Sequence, residues 1–97
     1  MATTRLSFVW DYDVSEEEFR ALLSGRTTLG RLDRDWAAVR LLDYASYDQI
    51  RAFLGFADLV RDWPRWRGRV RSLSRRRGLD FLVSWLTIER PDLLKAS

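Results

Sequence analysis

The run VSEEEFRALLSG (14–25) leaves its own segment one conformation to adopt. Ser15 is a strong N-cap, and Glu18, three residues on, completes a capping box in which each side chain takes the other's backbone amide. Val14 and Phe19 occupy the two positions of the hydrophobic staple. Glu16 and Glu17 suit the positive end of the helix dipole, and Gly25 suits the left-handed residue that follows a helix. A helix over 16–24 follows. The same grammar recurs in SYDQIRAFLG, where Ser46 is the N-cap, Gln49 the N3 residue and Gly55 the stop, so a helix over 47–54 buries Ile50, Phe53 and Leu54.

The remaining segments read as helices too. Asp33 or Asp35 caps DWAAVRLLDYA, whose core stripe is Ala38, Leu41, Leu42 and Ala45, with Val39 alongside. FADLVRDW is a short helix that Pro64 either stops or restarts. The arginine-rich stretch reads as a helix through Arg77, broken or kinked at Gly78. LDFLVSWLTIER forms a last helix ended by Pro91. LSFVW (6–10) has no second strand-like run to pair with and reads as an extended arm packed on helices. The expected fold is all-α: a single small bundle of five or six short helices with an extended N-terminal arm. Ninety-seven residues make one helical domain, 1–97, with flexible ends at 1–5 and 95–97.

Composition removes several chemistries. The chain has no cysteine, so disulfides, thiolate catalysis and Cys-based zinc sites are out. It has no histidine, which removes the usual general base near neutral pH and the commonest metal ligand. LSGRTTLG lacks the GK[ST] of a phosphate loop. The acidic cluster Asp11, Asp13, Glu16, Glu17 and Glu18 does not follow a calcium-loop spacing, and three of its five members are explained by the helix start. A pair of converging carboxylates is left open, but an enzyme is the weakest class. No catalytic residue, metal site or cofactor is expected. With no apolar run long enough to span a bilayer and no apolar leader at the N-terminus, a soluble cytoplasmic protein is expected.

Charge is unevenly distributed. Residues 1–60 carry 7 basic and 10 acidic side chains, a net −3; residues 61–97 carry 10 and 4, a net +6. On a single helix, Trp66, Val70 and Leu73 would form one apolar seam, flanked by Arg65, Arg69 and Arg76 on one side and Arg67, Arg71 and Arg75 on the other, with Arg77 continuing the seam. Such a basic rod fits an acidic protein partner, nucleic acid, or plain solvation, with the partner slightly ahead; Asn and Gln, the usual adenine readers, are missing from the stretch, which argues against sequence-specific DNA reading. Asp11 and Asp13 are candidates to pair with it.

Two further patches are candidates. Trp36, Arg40 and Tyr44 recur once per turn opposite the core stripe, aromatics flanking an arginine in the manner of interface hot spots, with Asp43 among them. The competing reading covers them with the N-terminal arm. Phe81, Trp85 and Ile88 line one side of a last helix that is apolar nearly all round, which suits a central core helix or one covered by another chain.

The segments FVWDYDVSEEEFRALLSG and WAAVRLLDYASYDQIRAFLGFADLV, with the Trp-Pro-Arg step at 63–65, resemble small helical bacterial proteins encoded beside nucleotidyltransferase-like toxin genes of abortive-infection toxin–antitoxin systems. The resemblance covers roughly residues 8–70 and rests on apolar and capping positions. It implies an antitoxin-like or regulatory partner of a nucleotidyltransferase-fold protein, and it carries no active-site motif. The expected function is therefore binding rather than catalysis, through the basic helix and the apolar C-terminal helix. Non-specific nucleic-acid binding through residues 65–77 and a small homo-oligomeric structural protein are the alternatives.

Overall fold

Helix starts fall where the capping residues put them. A computed structural model describes residues 14–95; the arm expected at 6–10, with Asp11 and Asp13, lies outside the described residues. Helix α1 spans Glu16–Leu23, α2 Arg34–Tyr44, α3 Tyr47–Phe53, α4 Phe56–Trp66, α5 Leu73–Ile88 and α6 Asp92–Lys95. The fold is all-α, a small bundle of these six helices.

Ser15 and Ser46 each form the complete capping box, and Asp33, rather than Asp35, caps α2 by accepting the Trp36 amide at 2.9 Å. Beyond α1 the amides of Gly25 and Arg26 return to the carbonyls of Leu22 and Ala21, and Gly25 takes φ +76°. This pairing closes the helix with a left-handed residue that glycine adopts without Cβ strain.

The core holds Phe19, Leu22, Ala38, Leu41, Leu42, Ala45, Ile50, Leu59, Trp66, Val70 and Leu79, all essentially inaccessible. Phe53 is only partly buried and meets Phe19 edge to face at 5.9 Å, while Leu54 is buried as expected. Helix α1 packs on α2, and α4 packs against both α2 and α5.

The arginine stretch does not form one helix over 65–77. Helix α4 carries through Pro64 to Trp66, tightens into a 3-10 turn at Arg67–Arg69, passes through extended Val70 and restarts at α5 with Ser72 as N-cap. Pro64 lies inside α4, two residues before its end, and lacks the amide that would donate to the Val60 carbonyl. Gly68 and the burial of both Trp66 and Val70 then favour a corner over a straight rod. The expected seam is broken accordingly: Trp66 and Val70 are buried, whereas Leu73 is exposed.

Gly78 neither breaks nor kinks the chain; it sits inside the continuous α5. A Cβ there would lie 2.5 Å from the Tyr47 hydroxyl, so the missing side chain admits a close approach of α3.

Candidate functional site

On α2, residues one turn apart project in a row, so Trp36, Arg40 and Tyr44 stack along one face. The Arg40 guanidinium lies 5.7 Å from the Trp36 ring and 5.3 Å from that of Tyr44, within cation–π range of both. Beside this row runs the 67–72 corner. Asp43 fixes it there: its Oδ1 accepts the Arg71 amide at 3.0 Å and the Ser72 amide at 3.3 Å. Between α2 and the corner opens a cleft of about 450 Å³, lined by Trp36, Val39, Arg40, Asp43, Tyr44, Arg69 and Arg71. Three guanidinium groups face one carboxylate, and that carboxylate already serves two backbone amides. The cleft is therefore lined by guanidinium groups between aromatic walls.

Two indoles and two aspartates hold the flanks. Trp66 Nε1 donates to Asp35 Oδ1 at 2.9 Å, and Arg65 Nη2 donates to the same oxygen at 2.7 Å, with Arg69 4.0 Å from the other. The Trp66 hydrogen bond chiefly, with Arg65 and Arg69 adding to it against the effect of burial, holds the Asp35 carboxyl below the usual carboxylate range. On the other side of α4, Trp63 Nε1 donates to Asp80 at 2.8 Å, and Arg67 grips both oxygens of Asp80 at 2.7 and 2.9 Å. That fork lowers the Asp80 pKa first, and the indole adds to it. Nothing in the sequence marks these long-range pairings, which join residues 13 to 31 positions apart.

The seven arginines thus fall into different roles. Arg75 donates to the carbonyls of Leu42 and Ala45, closing the C-terminal end of α2, and Arg76 donates to the Val70 carbonyl at 2.7 Å. Arg65 and Arg67 are tied to Asp35 and Asp80. Arg69 and Arg71 line the cleft. Arg77 is exposed on α5 and makes no ion pair among the described residues. The structure therefore joins part of the arginine stretch to the Trp36, Arg40 and Tyr44 patch, which the sequence could only treat separately. Phe81, Trp85 and Ile88 stand outside the cleft, on the open face of α5.

Among the described residues no cluster of acidic side chains is arranged to hold a metal ion, and no helix is long and apolar enough to cross a membrane. Comparison with protein-family models, curated proteins and solved structures finds no match for the chain.

Proposed function

We propose that the protein is a non-catalytic binding module whose cleft accepts an acidic segment of a protein partner. The observation that carries this reading is the convergence of Arg40, Arg69 and Arg71 with the Trp36 and Tyr44 rings around one cavity. Guanidinium groups recognise carboxylates bidentately, and aromatic walls supply apolar area at low entropic cost. A bound segment would exchange its carboxylates' water for the guanidinium groups that line the cleft. The resemblance to toxin-neighbouring proteins makes a nucleotidyltransferase-fold protein the first partner to test, with this chain as its cytoplasmic, antitoxin-like regulator. Nucleic-acid binding is the weaker reading, because Arg65, Arg67, Arg75 and Arg76 already serve acceptors within the fold.

The test pairs two measurements. Tryptophan emission is followed while a short Asp/Glu-rich peptide is titrated in, for the wild type and for the double variant Arg69→Glu, Arg71→Glu. The wild type should bind in a salt-sensitive manner and the variant should not. Equal binding by both would remove the cleft from the account. Co-purification with a nucleotidyltransferase-fold protein encoded alongside, lost in the same variant, would support the partner; its retention by the variant would place the contact elsewhere.

A further inference from the structure

Helix α5 buries Leu79 and Leu86 completely, yet its opposite side leaves Phe81 at 72%, Ile88 at 74% and Trp85 at 37% exposure. An apolar patch of a few hundred Å² is often the functional contact surface of a small protein. Ser74, Arg77, Phe81, Ser84 and Ile88 follow intervals of three, four, three and four residues, which places them on one face of α5, with Phe81 and Ile88 its apolar members. Exposed charges of opposite sign bracket it, Arg77 before Phe81 and Glu89 after Ile88, and neither makes an ion pair among the described residues.

The geometry points to a second copy of this chain as the occupant, paired antiparallel through α5 about a twofold axis between Leu82 and Val83. In that register Phe81 of each copy meets the small Ser84 of the other, so a large side chain enters a gap. Ile88 lies along the aliphatic stem of the partner's Arg77, whose guanidinium reaches Glu89 one residue beyond. Trp85 flanks the partner's Phe81. A parallel pairing is disfavoured, since it would set Arg77 beside Arg77 and Glu89 beside Glu89. The exposed parts of Phe81, Trp85 and Ile88 amount to roughly 350 Å² per copy, taking about 200 Å² for a large side chain. That is about 700 Å² for the pair, below the size of stable specific interfaces, so the dimer is weak and exchanges rapidly. The ridge lines no part of the cleft, and the two surfaces stand or fall separately.

Sedimentation equilibrium on the full chain, up to about 1 mM, reads the association directly. The wild type should show a reversible monomer–dimer equilibrium. Arg77→Glu alone and Glu89→Arg alone should each weaken it roughly tenfold, because both ends of the pair become like-charged. An equimolar mixture of the two variants should recover wild-type affinity. In the mixed pair the new acid of the first variant faces the new base of the second at one end, and the unaltered Glu89 and Arg77 face each other at the opposite end. Far-ultraviolet circular dichroism confirms that each variant is folded, as expected at exposed positions. A strict monomer at the highest concentration overturns the proposal and leaves the ridge to a different protein. Dimerisation unaffected by either variant, or no recovery on mixing, overturns the antiparallel register.

Discussion

Replacing Asp43 by alanine should loosen the corner that forms one wall of the cleft. The Asp43 carboxylate accepts two backbone amides from the 67–72 segment, at 3.0 Å from Arg71 and 3.3 Å from Ser72. No other side chain among the described residues accepts either amide. Hydrogen bonds to a charged group contribute more than neutral ones, but the Arg71 bond is exposed, so about 0.5–1 kcal/mol each is the expected net worth. The variant should lose about 1–2 kcal/mol in all. For a domain of this size that is a fall of roughly 5–10 °C in Tm, readable by circular dichroism at 222 nm. Asp43→Asn keeps an oxygen in the Oδ1 position and should lose distinctly less. Peptide binding should weaken in Asp43→Ala even below its Tm, because Arg69 and Arg71 no longer stand fixed against Arg40. A Tm within about 2 °C of wild type, together with unchanged peptide affinity, would refute the role given to Asp43.

Three further outcomes follow from the packing and the charges. Leu79→Ala, at a fully buried site on α5, should cost about 3 kcal/mol by denaturant melt, as a cavity inside a close-packed core does; a loss under about 1 kcal/mol would mean that α5 is not docked as described. Gly78→Ala should change stability by less than about 1 kcal/mol, since the helix-propensity gain opposes the displacement of the half-exposed Tyr47 ring from Arg75; a severe loss would show that Tyr47 cannot move aside. Acid should unfold the protein in one range only. Asp35, Asp80 and Asp62, which the Arg61 guanidinium and then that of Arg34 hold, all have pKa values lowered on folding, so their stabilisation is complete above the unfolded carboxylate value near 3.9 and is lost as pH falls through the lower folded values. With no histidine to titrate, Tm should be flat from about pH 5 to 8 and fall below about pH 4; a step between pH 5 and 7 would contradict this.

The parts of the fold that were legible are those governed by contacts within one helical turn. Ser15–Glu18, Ser46–Gln49 and Asp33 each satisfy orphan amides three residues away, so their signals sit in the local sequence. The stripe Ala38, Leu41, Leu42 and Ala45 is buried as its spacing required. The stretch 65–77 misled because arginine is a good helix former and the charge pattern fits a helical wheel. Its departure from a rod is driven by distant partners: Asp43 takes the Arg71 and Ser72 amides, Asp80 takes Arg67, and the α2 end takes Arg75. Gly68, inside the turn at Arg67–Arg69, was the local hint of a corner, whereas α4 runs on through Pro64. The cleft was half legible. The Trp36, Arg40 and Tyr44 row followed from the helical period, but the second wall depends on how α4 turns back along α2.

The central claim is that the arginine stretch is a corner with a division of labour, and not a uniform basic surface. A glutamine scan of Arg65, Arg67, Arg69, Arg71, Arg75, Arg76 and Arg77, reading Tm and acidic-peptide affinity for each variant, tests it most directly. Changes at Arg75 and Arg67 should lower Tm, and changes at Arg69 and Arg71 should lower affinity while leaving Tm nearly unchanged. Arg77 should affect neither in dilute solution. Seven similar losses of affinity with no change in Tm would describe a rod that presents every charge alike, and would contradict the account.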